Sequence, residues 1–188
     1  MPAPTLETAR LRLRPYTMED IPAWLPLIGA REVAATTLRI PHPYEESMAR
    51  EFIAMTIREN ESGQCVRLCV TIRESGAICG GVGMQVEAAH NRAELGYWIG
   101  VPFWRNGYAT EAASAVVRYG FETLKLHRIY ASYFPGNAAS KNVLEKVGMK
   151  YEGCQRGHFR KWGEFLDAEL YGMLDEDWTR RASTRPQP

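Results

Sequence analysis

The chain has 188 residues, within the range of a single domain and long enough to bury about 70% of its unfolded surface without disulfide or metal staples. Its 45% hydrophobic and 24% charged residues exclude a disordered chain, and 23 Lys plus Arg against 22 Asp plus Glu, a net charge of +1, argue against a nucleic-acid or membrane-surface binder. Cys65, Cys69, Cys79 and Cys154 lack paired CxxC spacing, and no apolar run reaches the length of a membrane span. They read as reduced, buried residues of a soluble cytoplasmic protein with no metal, and the chain begins without a charged-then-apolar signal segment.

In chain order, Leu11 and Leu13 alternate with Arg12 and Arg14 ahead of Pro15, which predicts a half-exposed strand. Thr17 to Asp20 reads as a capping box opening a helix from about Met18 to Leu27. The stretch from Arg31 to Pro43 is irregular and reads as a loop. Phe52, Ile53, Thr56 and Ile57 recur at helical spacing over about Glu45 to Asn60, with Gly63 as the stop.

Val66, Leu68, Val70 and Ile72 alternate strictly before the turn Glu74 to Gly76, and Ile78 to Val86 forms the returning strand. Ala93 to Gly100 is a third strand of this meander. After Pro102 the period changes, because Ala112, Val116, Gly120 and Leu124 share one helical face. His127 to Phe134 returns to alternation, Asn137 to Val147 is a short helix stopped by Gly148, and Lys150 to Phe159 and Phe165 to Leu174 are strands. The order is β, two helices, three strands, helix, strand, helix, two strands. It forms one domain over 1–178, followed by a polar tail at 179–188.

The run from Glu94 to Ala112 joins a strand to a helix through a short loop, an arrangement whose unpaired N–H groups and helix dipole suit a phosphate. Gly107 permits close backbone approach and Ala109 keeps bulk low. Neither a P-loop nor a GxGxxG is present. Lone histidines at 42, 90, 127 and 158 lack ligand spacing. Tyr97, Trp98, Phe103 and Trp104 form an aromatic cluster that either lines an acceptor pocket or, as is more usual at such density, belongs to the core, and none of the four is assigned a role.

The run Gly96 to Ala112 resembles the acetyl-CoA-binding motif of the GNAT acetyltransferases, and Asn137 to Met149 is similar to the motif that follows it in that family. Ala9 to Pro15 and Asp167 to Leu174 resemble the branch that acetylates the N-termini of ribosomal proteins (RimJ/RimL-like), so the resemblance runs from about Thr8 to Trp178. The family's loop usually opens with Gln or Arg where Trp104 stands here, a substitution this branch often shows. Arg105 stands where the branch commonly has glycine, and adds a cation able to meet a phosphate.

The resemblance implies an α/β fold with a mixed, mostly antiparallel sheet of six or seven strands, a splayed central parallel pair, and helices on both faces. It implies acetyl-CoA as co-substrate. Backbone contacts to it are expected from Ile99 and Val101, and pyrophosphate contacts from Arg105, Asn106, Gly107, Tyr108, Ala109 and Thr110. Asn137 is expected either to reach coenzyme A or to cap its helix. Glu94 is the candidate general base, acting through a water; its competing reading is a rim carboxylate holding Arg92 or the neighbouring strand. Ser140 is the candidate acid for the departing thiolate, or a hydroxyl bonding local backbone. The implied acceptor is the α-amine of a protein N-terminus, with a small-molecule amine or a non-catalytic acyl-CoA-binding module as alternatives. The basic stretch of Arg156, Arg160 and Lys161 favours an acidic partner, and a homodimer through strand edges follows family habit.

Overall fold

The structure, a computed structural model, describes residues 3–183. The predicted strand is β2 (Leu11–Arg14); its leucines are fully buried, and the two-residue β1 (Leu6–Glu7) pairs outside it. The predicted first helix divides. Met18–Asp20 is a single 3-10 turn, and α1 (Ile21–Ile28) begins only at Ile21. The tightening has a visible cause: the Thr17 N–H donates to Asp20 Oδ2 at 2.9 Å, and Arg14 donates to both Asp20 oxygens at 2.8 and 2.6 Å.

Asp20 is almost fully buried. Burial alone would raise its pKa, but the hydrogen bonds from Arg14 and the Thr17 N–H, with the Arg14 charge, outweigh burial and hold the carboxyl below its usual range. A depressed carboxyl contributes stability that is present above the unfolded value of about 3.9 and lost as pH falls through the lower folded value. Asp20→Asn is therefore expected to cost about 2 kcal/mol at pH 7, less than for a fully buried pair because Arg14 is partly exposed. The difference from wild type should shrink below pH 4 in urea titrations; a gap undiminished at pH 3 would contradict this.

The stretch read as loop contains a short helix, α2 (Arg31–Thr36), whose Val33 and Ala34 are buried. Next come α3 (Glu46–Ser62), which buries Ala49, Ile53, Thr56 and Asn60 on one face, and the meander β3 (Cys65–Ile72), β4 (Ile78–Glu87) and β5 (Arg92–Ile99). The chain continues as α4 (Tyr108–Glu122), β6 (Arg128–Tyr133), α5 (Ala138–Val147), β7 (Lys150–Lys161) and β8 (Glu164–Leu174). A last helix, α6 (Asp175–Ser183), starts within the domain and runs into the stretch read as a polar tail, whose final five residues lie outside the described ones.

Among the described residues the sheet has eight strands in the order β1-β2-β3-β4-β5-β6-β8-β7, one more than expected because β1 was too short to show a pattern. Every neighbouring pair is antiparallel except β5 and β6. One face carries α4 and α5 over a core including Leu11, Leu13, Leu68, Met84, Val116, Ile129 and Leu144. The other face carries α1 and α3 around Trp24, Ile28 and Ile53. Helix α6 returns to the first core by stacking Trp178 on Phe121, with ring centroids 5.8 Å apart.

Gly81 on β4 illustrates how tightly the second core meets the sheet: a Cβ there would lie 2.1 Å from Tyr16 Oη and 2.6 Å from Trp98 Nε1. Cys65, Cys69 and Cys79 are buried, and burial pushes their thiols up to about 11, 12 and 12. Cys154 departs from the sequence reading and is exposed, because β7 is the sheet edge. No helix among the described residues is long and apolar enough to cross a membrane.

Candidate functional site

β5 and β6 pair for only three residues, Arg92 to Glu94 with Arg128 to Tyr130. Beyond Glu94 the two strands diverge, and a cavity of about 250 Å³ lies at the opening. The phase of β5 follows from its pairing with β4. Gly100 N donates to Cys79 O at 2.9 Å, and the register is one-to-one from Gly80 opposite Ile99 to Glu87 opposite Arg92. Main-chain groups of Trp98, Gly96 and Glu94 thus turn to β4, and by alternation those of Ile99, Tyr97 and Leu95 turn to the gap. The Ile99 carbonyl accepts from Trp104 Nε1 at 2.6 Å; its N–H points into the gap.

Past β5, Val101–Phe103 forms one 3-10 turn and Gly107 is the N-cap of α4, with φ 78°. Glu111 N is bonded to Gly107 O, so Tyr108, Ala109 and Thr110 supply first-turn N–H groups without intrahelical acceptors. Gly107 offers no side chain to cap them. The turn is thus left open to an anion, with the helix dipole adding positive charge.

Arg105 is exposed and sits at φ 63°, in the left-handed region. That accounts for the glycine expected at this place: the backbone conformation, rather than room for a cation, sets the preference. Arg105→Gly is expected to stabilise the protein by about 1 kcal/mol, roughly 2–4 °C in Tm, while weakening phosphate binding at the loop less than tenfold. A larger affinity loss in calorimetry would make the guanidinium itself the phosphate ligand.

The loop is clamped from the far side of the sheet by residues the sequence reading did not single out. Arg10 Nε donates to Glu111 Oε2 at 2.7 Å and Arg10 Nη1 to Asn106 O at 3.0 Å, and the guanidinium covers the Tyr108 ring at 4.9 Å. Thr8 Oγ1 adds a bond to Glu111 Oε1 at 2.6 Å. Burial would raise the Glu111 pKa; the bonds from Thr8 and Arg10 outweigh it and keep the carboxyl low.

Glu94 and Ser140 both line the cavity, from opposite faces of β5. Trp98 packs into the α1/α3 core, so by alternation Glu94 shares that face, whereas Tyr97 points to α5. Glu94 does not hold Arg92, which pairs with Glu87 at 2.8 Å; its partner is Arg39, with Nη2 2.8 Å from Oε2. Ser140 Oγ shares a hydrogen bond with Tyr97 Oη at 2.8 Å, and burial pushes the Tyr97 phenol up to about 12 against the opposing pull of that bond. Asn137 caps α5, its Oδ1 accepting from Ser140 N at 3.1 Å, while its Nδ2 reaches Thr36 O at 3.5 Å. The loop residues 105–110 are not in the cavity wall; they follow the end of β5 and lead into α4.

The profile of a family described as "Acetyltransferase (GNAT) domain" matches residues 10–150. An uncharacterised N-acetyltransferase of Bacillus subtilis (strain 168), YoaA, is 34% identical over 91% of this chain and 97% of its own. The [ribosomal protein uS5]-alanine N-acetyltransferase of Escherichia coli (strain K12) is 33% identical over 50% of this chain and 48% of its own. The solved structure of RimL, a ribosomal L7/L12 alpha-N-protein acetyltransferase in complex with coenzyme A, superimposes with a TM-score of 0.83 at 16% identity, covering 91% of this chain and 98% of that one.

Proposed function

The chain belongs to the GNAT family of acetyltransferases, and from that premise we propose that it transfers acetyl from acetyl-CoA directly to a primary amine, foremost the α-amine of a protein N-terminus. The observation that carries this reading is the convergence of Glu94 and Ser140 from opposite faces of β5 on one cavity at the splay. The ribosomal-protein relatives support the acceptor class.

Acetyl-CoA, when bound, supplies the activated thioester. The first-turn N–H groups of α4 and the loop from Arg105 would hold its pyrophosphate. The Ile99 N–H, directed into the gap, would face the thioester oxygen and favour charge developing there. Glu94, through a water, takes the proton the amine must lose. An α-amine with a pKa of about 8 is partly neutral at pH 7, whereas a lysine amine at about 10.4 asks far more of the base. Ser140, oriented by Tyr97, supplies a proton to the thiolate. The protein would work in the cytoplasm, with no nucleic acid or membrane partner. A second copy could pair along the exposed edge of β7.

A small-molecule amine is the second reading, favoured because the segment from Thr36 to Ile40 contributes to the cavity wall. Thiol release from acetyl-CoA against N-terminal peptides, polyamines and aminoglycosides separates the two. Turnover on Ser- or Ala-initiated peptides that falls at least tenfold in kcat for Ser140→Ala, with KM unmoved, supports the leading reading. Turnover confined to small amines moves the acceptor, and coenzyme A binding without any turnover makes the chain a binding module.

A further inference from the structure

Three charged residues line the cavity, Arg39, Arg67 and Glu94. Arg67 is fixed: its guanidinium is bonded to Glu59 and to Gln85, and its side chain is only 19% exposed. Arg39 is different. It stands on the segment between α2 and α3, its side chain is 67% exposed, and it meets one carboxylate, Glu94, through a single bond of 2.8 Å. An exposed ion pair on a long side chain is weakly held and opens readily when another charge competes for either partner. Much of the remaining wall is apolar and aromatic, including Tyr16, Phe52, Trp98, Phe134 and Phe159.

The Arg39 guanidinium is bonded only to Oε2 of Glu94, so an acceptor ammonium that approaches this carboxylate competes with it for the same negative charge. Where the ammonium prevails, one cation replaces another on Glu94 and Arg39 is left without its carboxylate at the cavity wall. A neutral acceptor leaves Arg39 to solvent, and a second cation on the acceptor is repelled. A carboxylate a few ångströms from the acceptor amine restores the lost pair.

The geometry points to Arg39 as the specificity-determining residue for an acceptor that carries a carboxylate beside its primary amine. This rests on the acceptor reading of the cavity given above. Two sources share that chemistry: a protein N-terminus with an acidic residue in second place, and a free α-amino acid. Arg39 selects through binding and takes no part in bond making.

The test measures both affinity and turnover in the coenzyme A or acetyl-CoA complex of the whole protein. The acceptors are amidated peptides beginning Ser-Glu, Ser-Ala and Ser-Lys, and leucine beside leucinamide. Wild type is expected to favour the acid-bearing member of each effective set about two- to fivefold, in Kd and KM rather than kcat. Arg39→Gln is expected to abolish the preference, and Arg39→Glu to invert it toward Ser-Lys, with thermal melting showing that both variants fold. Preference among the peptides alone assigns the protein N-terminus, and preference for leucine over leucinamide with inert peptides assigns the amino acid. Equal wild-type affinity across charges, or a preference that survives in Arg39→Gln, overturns the inference. Charge-selective binding without turnover sustains it while sinking the acetyl-transfer reading, and turnover without charge selection does the reverse.

Discussion

Glu94→Gln is expected to lower kcat on an α-amine acceptor by about 10²–10³-fold at pH 7, a barrier increase of roughly 2.7–4 kcal/mol. The substitution keeps the shape of the side chain and removes its capacity to take a proton. The deficit should narrow as pH rises past about 8, where an α-amine sheds its proton to solvent unaided, and should persist to about 10 with a lysine-type amine. Glutamine also weakens the bond to Arg39, so a purely positional role would lower the rate as well. Parallel pH profiles on the two amines distinguish these cases. A constant ratio of wild type to variant at every pH, on both amines, would leave Glu94 only the task of holding Arg39 in place.

What the residues disclosed beforehand depended on the range of the interaction that fixes each feature. α3 and α4 repeat a helical period over seventeen and fifteen residues, and their burial follows it, whereas β3 and β4 are buried on both faces along most of their length, which the alternation of Val66, Leu68 and Val70 did not disclose. In six residues α2 completes fewer than two turns and shows no period. Helix α6 is polar except at Trp178 and Ala182 and is held by tertiary contacts, the Phe121 stack and Lys150 Nζ donating to Asp177 Oδ1 at 2.5 Å. The strand–loop–helix turn with its unpaired first-turn N–H groups was legible because it is local, and so was the Asn137 cap. The pairs that shape the site were not. Arg39 and Glu94 are 55 residues apart, Tyr97 and Ser140 are 43, and Arg10 and Glu111 are 101. Only the sheet order and the splay bring them together. Arg105 was visible as a departure from the expected glycine, yet its left-handed backbone became evident only in three dimensions.

The other large effect is expected from Trp24→Ala, far from any reacting atom. Trp24 is fully buried, stacked on Phe52 at 5.6 Å and meeting Tyr16, Tyr44 and Trp98 edge-on at 5.7–6.0 Å. Emptying that position should lower the unfolding free energy by about 3–5 kcal/mol, a large part of the 5–15 kcal/mol typical of a domain. The loss should reach the site unevenly. Tyr16, Phe52 and Trp98 are at once the partners of Trp24 and the wall of the cavity, and Trp98 shares its face of β5 with Glu94. The loop at the start of α4 is instead clamped by Arg10 and backed by the core on the opposite face. Acceptor KM is therefore expected to rise several-fold in the variant while coenzyme A affinity stays within about twofold, both measured well below its lowered Tm. If coenzyme A affinity falls in step with acceptor affinity, the two faces of the sheet are not energetically separate, and the division of labour between them fails.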